Sequence, residues 1–360
     1  MVFCLLSLFI LTFWGTVYQV YYGLYPAQQK FFQSFFFFIL GFIPFPGAQL
    51  VMWVMFINLI FVALFRFIYQ WDRIGIMIIH IGLLLFLISA FVTFHCIQES
   101  SLSLVEEEGS NVASAYHDWE LAVWKETDGL KRKIIAYDAA RFVAGQTLDF
   151  NEYGFNLSIK SYYANCKAYA ASERMAINTI INASGIVSLT AIPGDHDPAK
   201  NAPGIVFLLK QKSNPEKEIL LYGGESAPTR LTVNKETYYF ILRHKRFPLP
   251  FTLKLLEFRM KKHPGTEVAR SFESTVEIET PAMSRQTVIS MNNPLRYRNY
   301  TFYQASYGTD AQGRQFSTLA VVRNSGRLLP YISCIVTFAG LLMHFLLSFR
   351  KTLLEKAEAV

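Results

Sequence analysis

The sequence predicts an α+β membrane protein in which four transmembrane helices flank a large β-rich domain. Of its 360 residues, 52% are hydrophobic and only 17% are charged, whereas an ordinary soluble protein has about 25% charged residues. The apolar residues cluster at the two ends of the chain. Four of these clusters reach or approach the roughly 20 residues that a helix needs to cross the hydrocarbon core. The middle of the chain has the composition of a water-soluble domain.

Three predicted spans precede the middle of the chain and one follows it. They cover residues 2–18, 46–65, 74–94 and 328–349. We therefore divide the chain into an N-terminal membrane region (residues 1–97), a periplasmic β-rich domain (residues 98–327), and a C-terminal span with a short cytoplasmic tail (residues 328–360).

Basic residues orient the spans. Arg66 and Arg73 lie in the loop after the second span, and Arg350, Lys351 and Lys356 follow the fourth. Because Lys and Arg in short loops stay on the cytoplasmic side, we expect a multi-pass protein of the cytoplasmic (inner) membrane, with its large domain on the periplasmic or outer face. The net charge of +7 suits contact with anionic membrane lipid. The membrane spans argue against a nucleic-acid partner.

A Phe-rich segment between the first two spans is too short to cross the membrane. Residues 31–43 read FFQSFFFFILGFI and end at Pro44, in a Pro-Phe-Pro-Gly sequence that breaks a helix. We predict a short interfacial or re-entrant helix on the outer side. A fifth span is disfavoured because it would place every later segment on the opposite side of the membrane.

The middle of the chain is predicted to be strand-rich. Short alternating or β-branched runs recur there, separated by Gly, Pro, Asn and Asp, as in antiparallel meanders and sandwiches. The runs are residues 121–124, 156–163, 205–209, 237–242, 252–258, 275–278 and 300–305. We interpret residues 300–307 as a core strand rather than a surface that contacts a client protein. The four cysteines form no CxxC pair, so the sequence contains no local dithiol or zinc motif.

His80 is the most informative residue, because it lies inside the third span. An ionisable side chain in a membrane helix is costly and needs a partner, and neutral imidazole is a common ligand of metals and haem iron. His80 follows Arg73 by seven residues, and His344 precedes Arg350 by six. Each histidine therefore lies roughly 9–11 Å inside the cytoplasmic boundary. At a shared depth, the two imidazoles could ligate one haem from both faces, or each could hydrogen-bond within the bundle.

The other histidines are weaker candidates. His95 closes the third span, and we interpret it as an interfacial polar residue. His117, His196, His244 and His263 show no metal-ligand spacing and are expected at the surface. Two short basic runs, residues 243–246 and 261–263, are predicted to be solvated, with haem propionates, lipid phosphates or a client protein as alternative contacts. No nucleophile elbow, phosphate loop or HExxH helix occurs.

An ordered set of short motifs resembles the ResB (CcsB) family of cytochrome c biogenesis proteins. The set includes Gly15-Thr16, Pro44-Phe45-Pro46-Gly47, Arg73-Ile74-Gly75, His80-Ile81-Gly82, Glu99-Ser100, Glu108-Gly109, Leu249-Pro250-Phe251, His263-Pro264-Gly265-Thr266, Met291-Asn292-Asn293-Pro294-Leu295, and Tyr300-Thr301-Phe302-Tyr303-Gln304-Ala305-Ser306-Tyr307. Their order, together with four spans around one large domain, makes the resemblance fairly specific.

The resemblance implies a non-catalytic subunit of a cytochrome c synthase (haem lyase) complex. Its partners would be a ResC (CcsA)-type membrane subunit, apocytochrome c and a thioredoxin-like thiol reductase. Haem b would be the transported substrate, moved to the outer face and joined there to the CxxCH thiols of apocytochrome c. His80 matches the family's span-three histidine, a ligand of the transmembrane haem. The family's second ligand comes from the partner subunit, which leaves His344 supported only by its depth.

Two other functions remain open from the residues alone. The chain could be a membrane-anchored scaffold or chaperone for an assembly complex, in which His80 has a purely structural role. A b-type electron carrier ranks last, because it normally needs more than one histidine pair and a substrate or quinone site.

Overall fold

A computed structural model describes residues 1–66, 70–127, 132–170, 180–195, 197–210, 217–266, 269–310 and 312–358. The chain divides into two units. The first, here called the helical unit, comprises Met1–Gln98, Arg296–Thr301 and Val322–Val360. The second, here called the strand unit, comprises Glu99–Leu295 and Phe302–Val321.

The helical unit is built mainly from long apolar helices. Its helices are α1 (Val2–Tyr22), α2 (Leu24–Ala27), α3 (Ala48–Phe61), α4 (Ile74–Cys96) and α5 (Leu329–Glu358). A π-helical turn, Val62–Arg66, continues α3. Within the described residues, four segments are long and apolar enough to cross a membrane: Val2–Tyr22, Ala48–Phe65, Ile74–Cys96 and Leu329–Leu353. The predicted arrangement, with three apolar helices before the strand-rich domain and one after it, is confirmed.

The predicted interfacial helix over residues 31–43 is wrong. After a π-helical turn, Gln28–Phe32, the chain forms an antiparallel hairpin of β1 (Phe36–Ile39) and β2 (Ile43–Pro46). The turn between the strands holds Leu40 and Gly41 at positive φ, a conformation that glycine adopts without strain. The hairpin packs Phe37 against Trp14 of α1, with ring centroids 5.7 Å apart. Aromatic residues suit strands, and an apolar run this short does not distinguish strand from helix.

Glycines bring α4 and α5 into backbone contact. A Cβ atom on Gly75 would clash with the backbone of His344, and one on Gly82 would clash with Thr337. Gly340 of α5 fits against the α4 backbone in the same way. Small residues are the usual means by which membrane helices approach each other closely. The contacts also fix an antiparallel register, in which Gly75 lies opposite His344 and Gly82 lies opposite Thr337.

The remaining strands follow α4 in the chain, and all but the seventeenth lie wholly or largely in the strand unit. They are β3 (Gln98–Val105), β4 (Gly109–Lys125), β5 (Ile134–Asp138), β6 (Thr147–Phe150), β7 (Phe155–Tyr163), β8 (Cys166–Ala170), β9 (Ile180–Ile181), β10 (Ile186–Ala191), β11 (Gly204–Lys210), β12 (Lys217–Tyr222), β13 (Thr229–Val233), β14 (Glu236–Lys262), β15 (Ala269–Thr280), β16 (Met283–Ser290), β17 (Leu295–Tyr297), β18 (Tyr300–Thr309) and β19 (Gln315–Arg323). Each of the predicted runs falls inside one of these strands.

The strands form one large sheet and two smaller ones. The ten-stranded sheet has the order β16-β15-β14-β4-β3-β19-β18-β17, with β13 paired to β14 and β5 paired to β4. The five-stranded sheet has the order β6-β7-β11-β12-β9, and β8 pairs with β10. Most strands pair with antiparallel neighbours, as the short, turn-separated runs predicted.

Alternating residues of the five-stranded sheet pack on β4, β13 and β14 of the large sheet. Phe207 of β11, Phe240 of β14 and Leu121 of β4 are fully buried in this core. Their neighbours along each strand point to the opposite face, because side chains alternate across a strand. The resulting two-layer packing is that of a β-sandwich.

A polar network links distant strands of the large sheet. The Ser274 hydroxyl of β15 donates a hydrogen bond of 2.7 Å to Gln304 of β18, and it lies 2.8 Å from the Ser317 hydroxyl of β19, from which it can accept one. Gln304 in turn donates to Ser317 at 2.9 Å. Because β15 lies far from β18 and β19 in the strand order, the sheet must curl back on itself to form this network.

The strand over residues 300–307 is only partly buried. Phe302 is completely buried, whereas Tyr303 and Tyr307 are exposed. Tyr307 stacks on Phe258 at a centroid separation of 5.2 Å. The strand itself is as predicted, but its tyrosines do not lie in the core.

Candidate functional site

His80 lies in α4 with its ring orientation fixed by its own helix. Its Nδ1 lies 2.8 Å from the carbonyl oxygen of Ile76, one turn earlier. A carbonyl oxygen only accepts hydrogen bonds, so Nδ1 must carry the proton and donate it. In the neutral ring, Nε2 then carries the lone pair with which an imidazole can bind a metal. An imidazole whose second nitrogen is held this way is the usual form of a histidine metal ligand.

The side chain of His80 projects from the side of α4 that faces away from α5. Each residue of an α-helix advances by about 100°, so His80 lies about 140° from Gly75 around the α4 axis. Gly75 and Gly82 mark the side of α4 that contacts α5. The imidazole therefore faces away from the α4–α5 interface.

His344 occupies a different position from the one predicted. It lies opposite Gly75, and Gly75 precedes His80 by a rise of about 7.5 Å along α4. The prediction that His80 and His344 share a depth is wrong by that amount. The predicted depth of each histidine was counted from the nearest arginine of its own helix. The register between the two helices is instead set by the glycine contacts. Among the described residues, the buried Nδ1 of His344 has no hydrogen-bond partner.

His95, at the other end of α4, borders an apolar cavity of about 570 Å³. The cavity lies between α1, the β1–β2 region, α3 and α4. Its lining includes Leu8, Phe35, Gln49, Trp53, Phe91 and His95. The Nδ1 atom of His95 lies 3.0 Å from the carbonyl oxygen of Phe91, so its ring has the same tautomer as that of His80. This cavity was not predicted from the sequence, although the spacing of His80 and His95 places both on one side of the helix.

The basic run of residues 243–246 is largely paired inside the strand unit. Arg243 forms an ion pair of 2.9 Å with Glu120, and both side chains are almost completely buried. Lys245 pairs with Asp138 at 2.7 Å. Burial alone would raise the pKa of Asp138, but the bond from Lys245 and a backbone N–H bond lower it. The prediction of a solvated basic face is therefore wrong for this run, because its partners come from strands distant in sequence.

His244 is half-buried and stacks on Trp119 with ring centroids 4.0 Å apart. Its burial lowers its pKa, and the neighbouring His117 lowers it further. His263 is exposed, as expected. His196 lies outside the described residues. Within the described ranges, no group of three or more His, Cys, Asp or Glu side chains could hold a metal ion.

The cysteines give no sign of a reactive pair. Cys4, Cys96, Cys166 and Cys334 are all free thiols. Burial raises the pKa of the Cys166 thiol to about 11, which keeps it protonated and unreactive at neutral pH.

Four long apolar helices and a strand-rich domain define a multi-pass membrane protein with a large extramembrane domain. Residues 224–314 match the model of the ResB-like family. Protein NrfI of Wolinella succinogenes is 33% identical over 104 residues, which make up 28% of this chain and 11% of NrfI. The resemblance to the ResB family that the sequence predicted is confirmed over this part of the chain.

The residues that match the family model do not include the candidate ligands. The match begins before β13 and ends after β18, so it includes the motifs around Leu249, His263, Met291 and Tyr300. His80, His95 and His344 all lie in helices beyond it. The family resemblance and the haem-ligand assignment therefore rest on separate observations.

Proposed function

We propose that this chain is a cytochrome c biogenesis subunit that, with a ResC (CcsA)-type partner, carries haem across the membrane and supports its attachment to apocytochrome c. The match to the ResB-like family supports the biogenesis role, and the four apolar helices support a membrane location. The observation that carries the haem assignment is the geometry of His80.

His80 has the chemistry that a transmembrane haem ligand needs. Its Nδ1–H is bonded to the Ile76 carbonyl at 2.8 Å, which orients the ring and makes Nε2 the nitrogen that would bind the iron. The apolar helix around it suits burial of a porphyrin ring, and imidazole binds haem iron in many proteins. In this proposal, His80 holds the iron of the transported haem while the surrounding helices exclude water.

The second ligand comes from the partner subunit. The glycine contacts between α4 and α5 bring the two backbones too close together to admit a porphyrin. His80 faces away from that contact, so His344 cannot approach it across a shared haem. A partner helix placed against the side of α4 that carries His80 would complete the coordination.

The ends of α4 and α5 support the proposed orientation. Because Gly75 lies opposite His344, Arg73 lies at the same end of the helix pair as Arg350 and Lys351. The positive-inside rule assigns that end to the cytoplasm. The strand unit joins the opposite ends of α4 and α5, and therefore belongs on the periplasmic face of the cytoplasmic membrane.

The test is to purify the chain with its ResC (CcsA)-type partner subunit and to measure the haem content and absorption spectrum of the complex. His80→Ala should lose most of the haem or shift the spectrum, because the iron loses an axial ligand. Adding imidazole to His80→Gly should restore the wild-type spectrum, since free imidazole can enter the space that the side chain leaves.

His344→Ala is the matched control, because it removes the same side chain from the neighbouring helix. It should retain the wild-type haem content. If His80→Ala has unchanged haem content and spectrum, the haem-ligand proposal is wrong and His80 is structural, as in a membrane-anchored scaffold. A large haem loss in His344→Ala alone would contradict the proposed source of the second ligand.

A further inference from the structure

Four arginines of the helical unit lie in two chain segments that meet near the start of α5. One segment surrounds β17 and the other joins β19 to α5, and the residues are here called the arginine cluster: Arg296, Arg298, Arg323 and Arg327. The backbone N–H of Asn324 donates to the carbonyl oxygen of Asn299 at 3.2 Å. This bond joins the two segments, so the four cations share one end of α5.

Two members of the arginine cluster lie over tyrosine rings. The guanidinium carbon of Arg298 is 5.6 Å from the ring centroid of Tyr297, and that of Arg323 is 5.8 Å from the ring centroid of Tyr300. A ring face attracts a cation in this position, but it does not neutralise the charge. Tyrosine is also enriched where a membrane meets water. The surroundings of the cluster are therefore typical of a membrane interface.

Within the described residues, no member of the arginine cluster forms an ion pair. Residues 281–309 and 311–354 contain no Asp or Glu. The Nη1 atom of Arg327 is buried, and it has no hydrogen-bond partner in the part of the chain that the structure describes. Leaving a buried charged donor without an acceptor is costly. The cluster is therefore suited to bind an anion.

The surface next to the arginine cluster is apolar. Leu328, which follows Arg327, is exposed, and so are Tyr331 and Ile335 in the first turns of α5. These residues begin a segment that is apolar enough to cross a membrane. A phospholipid has the same arrangement, with a phosphate next to acyl chains. Guanidinium groups bind phosphate through two parallel hydrogen bonds, so an anionic phospholipid matches both surfaces at once.

We propose that the arginine cluster binds the phosphate of an anionic phospholipid at the membrane surface. The acyl chains of this lipid lie along the exposed apolar residues of α5. Lys and Arg near membrane spans are usually kept on the cytoplasmic side, and the cluster lies at the end of α5 opposite Arg350 and Lys351. The role does not involve haem, and it rests on the proposed orientation only in naming the leaflet as the outer one.

The test is native mass spectrometry of the full-length chain in a non-ionic detergent, titrated with phosphatidylglycerol or with phosphatidylcholine. The wild-type chain should bind phosphatidylglycerol more tightly, because only that lipid has a net negative charge. Arg296→Gln/Arg298→Gln/Arg323→Gln should weaken phosphatidylglycerol binding at least roughly tenfold, since each basic residue near the surface adds to the attraction. The three side chains are exposed, so the variant should fold normally.

Three control variants separate the possible causes of a loss. Arg141→Gln/Lys167→Gln/Arg285→Gln removes three exposed cations from the strand unit and should keep the wild-type affinity. Lysine at the three substituted cluster positions keeps the charge but loses the two-bond geometry, and should give an intermediate affinity. His80→Ala should bind phosphatidylglycerol as the wild type does, so the lipid proposal and the haem proposal can fail separately.

Hydrogen exchange locates the bound lipid and identifies its source. In nanodiscs of phosphatidylcholine that also contain phosphatidylglycerol, the amides of residues 296–300 and 322–327 should exchange more slowly than in phosphatidylcholine alone. Inorganic phosphate added to the chain in detergent should not protect them, because it lacks the acyl chains that contact α5.

Four results would overturn the proposal. The first is equal affinity of the wild-type chain for the two lipids, and the second is unchanged phosphatidylglycerol affinity in the glutamine variant of the cluster. The third is protection by inorganic phosphate as strong as that by phosphatidylglycerol, which would assign the cluster to a soluble anion. The fourth is that the glutamine variant loses its partner subunit during purification but keeps its lipid affinity, which would make the cluster a protein interface.

Discussion

The strand unit and the core of the helical unit use side-chain volume in opposite ways. Large buried residues such as Phe207, Phe240 and Tyr238 fill the strand-unit core. The α4–α5 contact instead depends on Gly75, Gly82 and Gly340, where the absence of a side chain lets two backbones meet. Burial of apolar area drives packing in water, but lipid offers no such force between apolar helices, and close packing takes its place. Removing volume should damage the first unit, and adding volume should damage the second.

The largest expected effect is in the strand unit. Phe240→Ala removes a completely buried ring and should lower the free energy of unfolding by about 3–5 kcal/mol. Urea unfolding of the full-length chain, followed by tryptophan fluorescence, measures the change. Tyr169→Ala, at an exposed site of the same unit, should change it by less than about 0.5 kcal/mol. Equal losses in the two variants would contradict the assignment of the core.

Adding volume to the helix pair should have the next largest effect. Gly82→Leu places a side chain where even a Cβ atom meets Thr337, and should cost about 1–3 kcal/mol through overpacking. Unfolding in mixed micelles of increasing SDS content measures it. Ile81→Leu, at the exposed neighbouring position, is the control and should be nearly neutral. A stable Gly82→Leu variant would show that the helices are not held in backbone contact.

The polar network of the large sheet should contribute less. Ser274→Ala removes a hydroxyl that is hydrogen-bonded to both Gln304 and Ser317 and leaves buried polar atoms with fewer partners. The expected loss is about 1–2 kcal/mol, measured by the same urea unfolding. Ser103→Ala removes an exposed hydroxyl that bonds to Thr318, and should have a smaller effect. Similar values for both would indicate that the sheet does not close around Ser274.

The smallest expected effect is a pH dependence. His244 has a lowered pKa in the folded protein because it is buried, so the unfolded chain binds more protons as the pH falls below the ordinary histidine value of about 6.5. Stability is therefore greater above that pH and declines below it. His244→Phe, which keeps a ring against Trp119, should flatten the decline between about pH 6.5 and 5. An unchanged slope would assign the decline to other groups.

Both units could be located from the sequence, but for different reasons. The membrane helices are evident because a span needs a long, nearly uncharged apolar run, and residues 74–94 meet that condition whatever they contact. Strands such as β7 are evident from alternating apolar and polar residues, of which the apolar Phe155, Leu157 and Ile159 are buried. The hairpin at residues 36–46 could not be recognised, since its Phe-rich strands lack the polar alternation that distinguishes a strand from a short apolar helix.

The sequence by itself determined the number and approximate position of the apolar helices, the strand-rich nature of the middle, and the presence of His80 inside a membrane helix. These follow from composition and short-range period, which each segment carries alone. Only the tertiary structure decided that His80 and His344 face different sides, that Arg243 pairs with Glu120, and that His95 borders a cavity. Such facts depend on the rotation and register of one element against another, and those are set by contacts between residues far apart in the chain.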